Sequence, residues 1–342
     1  MKLDLFDYKL PENLIAQTPL IERDKARLLI LDKKSAEIKH DIFYNIINYI
    51  NCNDVIVINE SKVINARIFG KKEKTGAKIE CFILEKKKNN SFIVLLRPSK
   101  RLKENDKVFI DEDENIYFEV LDKSEEGKAL INFNISISAG KILEKYGQVP
   151  LPPYIKSRNF DNSFYQTVYA KKEGSVAAPT AGLHFTKELI KKLQDKGVFI
   201  AKVNLEIGLD TFKPIIEEDI KKHKIHTEKF SISESAVQKI INAKKSGGRV
   251  ISVGTTATRV LETIMTQYGV LKSCKGKTSL YIYPGYKFKI IDMLITNFHL
   301  PKSTLIVLVS AFAGRENILN AYKIAIENNY RFFSFGDCML IK

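Results

Sequence analysis

The 342-residue chain has no tryptophan, only four methionines and only four cysteines. Cys52, Cys81, Cys274 and Cys338 are widely scattered, with no C-x-x-C pair among them. That spacing argues against a zinc cluster and against a secreted disulfide framework, so no metal is expected. Long hydrophobic runs are missing too. The most apolar stretch, residues 305–313, falls far short of the ~20 residues of a membrane-spanning helix. The opening MKLDLFDYKLPE carries Asp4 and no hydrophobic signal core, so a reducing cytoplasm is the expected compartment. G-x-G-x-x-G is absent, which removes the dinucleotide fingerprint.

What is present is basic and globular. The residues are 44% hydrophobic and 28% charged, ordinary for a folded protein, and the length favours two domains. Lys and Arg outnumber Asp and Glu by 55 to 40, giving a formal charge of +15. Such an excess fits a polyanionic partner, nucleic acid or an anionic membrane surface; a compositional drift toward Lys, Ile and Asn is the alternative. Fourteen Tyr and 20 Phe leave many rings for stacking.

The texture changes along the chain. Residues 1–65 read as mixed α/β, with DVIVIN (54–59) as a buried strand. From about Arg67 to Ile137, AKIECFIL, SFIVLLR, KVFI, IYFEVL and KALINFNI are separated by turn clusters. Short strands at this spacing predict an antiparallel barrel or sandwich. LEKYGQVPLPPY (143–154) reads as an extended, proline-rich return. Beyond it the α/β pattern resumes. The expected fold is therefore a discontinuous α/β domain, residues 1–65 and 153–342, interrupted by a β-barrel at 66–152.

Four motifs carry chemistry. In VAAPTAGLHF (176–185), Pro179 fixes φ and biases Ala178 toward extended backbone, Gly182 permits conformations closed to other residues, and small residues leave room for a ligand beside His184. Thr186 is placed to cap a helix that stops at Gly197. RVISVG followed by Gly254-Thr255-Thr256 predicts a strand, a turn and a helix, with N–H groups at the strand's carboxyl end. Tyr283-Pro284-Gly285-Tyr286 offers two rings to a nucleobase, or two half-buried core tyrosines. Asn297-Phe298-His299-Leu300-Pro301 brings another histidine, which could equally be structural, ahead of Lys302 and Ser303. His223 and His226, spaced i and i+3, could share a helical face, but no third metal ligand is evident.

Taken together, VAAPTAGLHFT, YGQVPLPPYI, YQTVYA, HKIHTE, VGTTATRVLET, YIYPGYKFKIIDMLITNFHLPKSTLIVLVSAFAG and YRFFSFGDCMLI resemble the S-adenosylmethionine:tRNA ribosyltransferase-isomerase family. With ERDKARLLIL near the start, the resemblance covers essentially the whole chain. It implies transfer and isomerisation of the ribosyl group of S-adenosylmethionine onto 7-aminomethyl-7-deazaguanine at the wobble position of tRNA. The products would be epoxyqueuosine-tRNA, adenine and methionine. It also implies an α/β domain interrupted by a barrel. Lys62 and Asn65 stand where the family usually has Arg and Pro, and Glu206 and Asp210 where it has His and Gly.

The implied chemistry needs three proton events, at ribose C5′, at the departing purine and at the attacking amine, which suits groups titrating near neutrality. His184 is the first candidate, followed by His226 and His299, with Glu228 and Asp292 as carboxylates. For S-adenosylmethionine the candidates are Pro179, Thr180, Gly182, Gly254, Thr255 and Thr256, with Tyr283 or Tyr286 stacking on adenine and Asn297 reading its edge. Phosphates of tRNA would meet Lys62, Arg67, Arg97, Arg259, Lys287 and Lys302. A monomer is expected. A methyltransferase should carry a glycine-rich loop after its first strand, where this chain has VINESKV; a non-catalytic RNA binder would not need the clustered His, Thr and Pro-Gly loops.

Overall fold

The computed structural model describes residues 1–87, 90–113, 115–124, 127–134, 139–157, 159–208 and 215–342. The chain divides into two compact units, Met1–Val63 with Pro152–Lys342, and Ile64–Leu151.

The first unit begins with β1 (Arg27–Leu31), β2 (Ile38–Ile42), β3 (Val55–Asn59) and β4 (Ser61–Val63). The chain then enters the second unit, a closed six-stranded antiparallel barrel. Its strands are β5 (Arg67–Lys72), β6 (Lys78–Lys86), β7 (Ser91–Arg97), β8 (Lys107–Asp111), β9 (Ile116–Lys123) and β10 (Lys128–Phe133). Alternation builds it: Phe92, Val94 and Leu96 of β7, and Ala129, Ile131 and Phe133 of β10, are buried while their neighbours face outward. Closure leaves no sheet edge. The helix α1 (Ala139–Tyr146) follows. It corrects the extended reading of Leu143–Tyr146: Leu, Glu and Lys there are good helix formers, and the prolines begin only at Pro150.

Back in the first unit come β11 (Lys172–Ser175), α2 (Lys187–Asp195), β12 (Phe199–Leu205), β13 (Glu228–Ile232) and α3 (Glu234–Lys245). They are followed by β14 (Val250–Val253), α4 (Gly254–Tyr268), β15 (Cys274–Thr278), β16 (Met293–Asn297), α5 (Thr304–Ala313), α6 (Arg315–Glu327) and β17 (Cys338–Ile341). Nine strands form one sheet in the order β15-β13-β12-β3-β14-β16-β17-β1-β2. Its centre, β12-β3-β14-β16, is parallel throughout. Those strands are nearly continuous runs of buried aliphatics because both faces are covered. Val55 and Val57 pack with residues of α3 to α6, whereas Ile56 and Ile58 pack with Leu189 and Leu193 of α2 and with Phe43.

The helix signals hold locally. Thr186 accepts the Leu189 N–H at 3.1 Å and Ser233 the Ala236 N–H at 3.3 Å, while Gly197 has φ +88° just past α2. After β3 the chain goes to one side of it for β12 and to the other for β14. That reversal of strand order opens a crevice at the carboxyl ends, where α/β proteins bind ligands.

Candidate active site

Three local devices shape that crevice. Ser175 Oγ donates to the Ala177 carbonyl at 2.7 Å and accepts the Ile207 N–H at 3.1 Å, stapling the loop before Pro179 to the end of β12. Gly254, at φ +79°, turns β14 directly into α4. No side chain caps α4, so its first-turn N–H groups remain available at the positive end of the helix dipole. Thr258 Oγ1 meets Ser252 Oγ at 3.0 Å and the Gly254 carbonyl at 3.2 Å, fixing the turn from beneath.

Two cavities meet over that first turn, sharing Thr255, Thr256 and Leu305. One is walled by residues 177–181, Ile207, Gly254, Thr296, Asn297 and His299. The other is walled by Ile225, His226, Glu228, Arg259, Leu280, Tyr281, Ile282, Thr304 and Leu308.

In the first cavity the side-chain amide of Asn297 is held from one side. Its Nδ2 donates to the Phe333 carbonyl at 3.1 Å and lies 3.2 Å from His184 Nε2, leaving the buried Oδ1 without a partner. His299 Nε2 lies 2.7 Å from Thr296 Oγ1, and its backbone N–H donates to Tyr322 OH at 3.0 Å. Burial pulls both histidines well below the ordinary imidazole range, His184 to about 4 and His299 to about 3. They are neutral at pH 7.

The second cavity contains a buried charged cluster. Glu228 accepts the Gly208 N–H at 3.0 Å, lies 3.0 Å from His226 Nε2, and pairs with Arg259 Nη1. Burial alone would raise the Glu228 carboxyl, but the His226 hydrogen bond and the Arg259 charge bring it down to about 2. It is a fixed carboxylate that orients the His226 ring. His226 lies beside Gly208, next to Ile207 of the first cavity, so the imidazole stands near the junction of the two.

The structure redistributes several of the expected roles. Pro179, Thr180, Gly254, Thr255, Thr256, Asn297 and His299 come together in the first cavity, and His226 and Glu228 in the second. The His184 ring instead faces a separate hollow lined by Pro19, Leu20, Arg23 and Phe164, and it acts on the cleft through Asn297. Gly182 does not line the cleft; a Cβ there would lie 2.0 Å from Tyr169 OH, so the glycine makes room for a buried tyrosine. Asp292 precedes β16, at the strand end opposite Asn297, and accepts the Val250 N–H at 2.8 Å. It clasps the amino-terminal ends of β14 and β16, about 15 Å of strand away from the cleft.

Tyr286 is tied to Glu262 at 2.9 Å and stands edge-on to Phe288, while Tyr283 packs on Tyr281. Neither lines the cavities. Tyr281 does, and its signal was present two residues upstream in YIYPGY. Glu262 is fully buried and binds the N–H groups of Lys289 and Ile290, which accounts for its place inside α4.

Of the residues expected at phosphates, Arg259 is 6% exposed and committed to Glu228, so it belongs to the cleft. Arg67 pairs with Glu80 at 2.9 Å, Lys62 with Glu173 at 2.9 Å, and Lys302 with both Asp4 and Asp7. Their charges are already balanced. Arg97 and Lys287 are exposed. His223 lies 2.8 Å from Glu217 and His226 faces Glu228, so the two histidines turn to different carboxylates. Asp210 lies outside the described residues. Glu206 is half-buried beside Gly174, and burial raises its carboxyl.

The fold is an α/β unit with a crevice at its topological switch point, carrying an inserted closed barrel. The sequence model of the queuosine biosynthesis proteins matches residues 3–341, and the chain belongs to that family. It is 50% identical over 341 residues to the S-adenosylmethionine:tRNA ribosyltransferase-isomerases of a Thermoanaerobacter strain and of Staphylococcus haemolyticus, with 100% of each chain covered. The crystal structure of the S-adenosylmethionine tRNA ribosyltransferase from Thermotoga maritima is similar as well, at 36% identity and TM-score 0.57, covering 99% of this chain and 100% of that one.

Proposed function

We propose that this protein is an S-adenosylmethionine:tRNA ribosyltransferase-isomerase acting in queuosine biosynthesis. It moves the ribosyl group onto 7-aminomethyl-7-deazaguanine at the wobble position and releases adenine and methionine. Full-length identity of 50% to relatives of that name supports the reading. The observation that carries it to a site is that the unpartnered, buried Asn297 Oδ1 and the uncapped start of α4 belong to residues lining one cavity.

The positive sulfonium acidifies the C5′ protons, and a base that removes one leaves an ylide. His226, oriented by the Glu228 carboxylate near the junction of the cavities, is the group suited to take that proton. A positioned base of this kind is worth roughly 10²–10⁴ in rate. Asn297 Oδ1 accepts the exocyclic amine of adenine, Pro179 and Thr180 bound the ring, and the α4 N–H groups with Thr255 meet the ribose. His184 and His299, neutral and buried, hold Asn297 and Thr296 rather than exchanging protons with substrate. Exposed Arg97 and Lys287 remain the candidates for phosphate contact, with Lys62 beside Glu173. On this reading the enzyme works as a cytoplasmic monomer, without a metal. Among the described residues no helix is long and apolar enough to cross a membrane.

One assay tests the reaction. Aminomethyl-deazaguanine tRNA is supplied with S-adenosylmethionine labelled in the ribose or in the methyl group. Ribose label in the tRNA with free adenine is the expected result. Methyl label in the tRNA would make the protein a methyltransferase, and no label would reduce it to a binder.

A further inference from the structure

The second cavity presents hydrogen-bond donors that nothing in the protein uses. Arg259 spends Nε on the Leu280 carbonyl at 3.3 Å and Nη1 on Glu228, yet its buried Nη2 has no partner. Tyr281 OH and Thr256 Oγ1, also buried and unpartnered, line the same cavity. None of the three reaches Glu228, whose oxygens receive Gly208, His226 and Arg259 Nη1. A buried guanidinium nitrogen left unpaired is costly, and an anionic ligand would remove the cost. The uncapped start of α4 adds N–H groups and a dipole that favour the same sign of charge. The remaining wall is aliphatic: Ile225, Leu280, Ile282, Leu305 and Leu308. The combination suits a short aliphatic tail ending in a carboxylate.

We propose that this cavity is the subsite for the amino-acid tail of S-adenosylmethionine, with Arg259 Nη2 and Tyr281 OH binding its α-carboxylate. The proposal rests on the cosubstrate named above and assigns it a direction across the cleft. Adenine lies toward Asn297, the methionine tail toward Arg259, and the sulfonium and C5′ at the shared turn near His226. Arg259 and Tyr281 are binding residues that also position the sulfonium; they move no proton.

The test compares two ligands by calorimetric titration of the full-length enzyme: S-adenosylmethionine and its decarboxylated analogue, which keeps the sulfonium and the adenosine. A charge-assisted pair of donors predicts that the wild type prefers the carboxylate form by roughly 10- to 100-fold. Arg259→Lys keeps a cation beside Glu228 but loses the second nitrogen; it should lower affinity for S-adenosylmethionine about tenfold or more while changing the analogue less than about twofold. Tyr281→Phe removes one hydroxyl and leaves the ring, and should show the same selective loss at about three- to tenfold. Equal weakening of both ligands in folded Tyr281→Phe would overturn the subsite, as would a wild type that binds the two equally. If the wild type bound neither nucleoside, the cosubstrate reading would fall and the subsite with it. A wild type that binds both equally removes the subsite alone.

Discussion

The barrel and the cleft-bearing α/β unit treat burial in opposite ways. In the barrel, β7 and β10 alternate strictly in burial, with only aliphatic and aromatic residues on the inward face and a mixture of polar and aliphatic ones outward. In the α/β unit, α4 keeps Thr255, Thr258, Arg259, Glu262 and Thr263 under cover. Most of them have an internal reason: Thr258 ties the turn, Glu262 holds residues 286–291 and Thr263 meets Thr278 at 2.6 Å. Arg259 Nη2, Tyr281 OH, Thr256 Oγ1 and Asn297 Oδ1 have none, and all four border the cleft. Buried polarity by itself does not mark the site. What distinguishes these four is that they are unsatisfied and gather around one cleft, whereas other unsatisfied groups such as the Tyr169 hydroxyl lie apart from it.

The largest effect should come from separating the two histidine classes. His226→Gln keeps a hydrogen-bond donor for Glu228 but cannot take a proton, and single-turnover adenine release should fall by roughly 10²–10⁴ with S-adenosylmethionine affinity nearly unchanged. His184→Gln preserves a partner for Asn297 and should cost far less. If His184→Gln proved the more damaging, the assignment of the base to His226 would be wrong.

On the barrel side the expected loss is one of stability alone. Phe118 is fully buried against Phe133, and Phe118→Ala should cost about 3–5 kcal/mol in denaturant titration. Ile93→Thr, on the outward face of β7, should lie within about 0.5 kcal/mol of wild type. Comparable losses at the two sites would mean that the alternation is not what holds the barrel.

Acid should reveal the buried histidines next. His184 and His299 have folded values of about 4 and about 3, below the ~6.5 of an unfolded histidine. Between those limits the unfolded chain binds protons that the folded chain refuses, so stability falls as pH falls. From pH 7.5 to pH 5 each contributes about 2 kcal/mol of that loss. Glu228, held down to about 2, loses its contribution only below the ordinary glutamate range and does not enter this window. His184→Gln should therefore remove about half of the difference between denaturation curves at pH 5 and pH 7.5. Unchanged acid sensitivity would refute the neutral assignment.

Much of this was legible in the sequence. The cap at Thr186, the strand–turn–helix at Gly254 and five of the six barrel strands followed from local pattern, because local hydrogen bonds and alternation decide them. The loop chemistry and the resemblance also pointed to residues 177–181, Gly254–Thr256 and Asn297, which the fold brings to the wall of one cavity. What failed was direction. Nothing local says that Asp292 faces the far end of β16, that Arg259 turns inward to Glu228, or that the His184 ring turns away from its own loop. Those facts depend on partners 31 and 113 residues distant for Arg259 and His184. Tyr286 and Tyr281 differ in the same way: Glu262 and Thr266 of α4, distant in sequence, hold the Tyr286 ring away from the cleft.

The finest test concerns Gly182, where the sequence argument and the structure give different reasons for the same residue. Conformational freedom would require a backbone closed to alanine, but Gly182 does not have a positive φ. Space is the constraint, since a Cβ would stand 2.0 Å from Tyr169 OH and 3.0 Å from its Cζ. Gly182→Ala should therefore destabilise the protein by on the order of 1–3 kcal/mol through overpacking. Tyr169→Phe removes the clashing oxygen, which has no hydrogen-bond partner to lose. The double variant should recover a measurable part of the loss, a non-additivity that a backbone cause would not produce. Strict additivity in thermal denaturation would return Gly182 to the backbone argument and leave the tyrosine incidental.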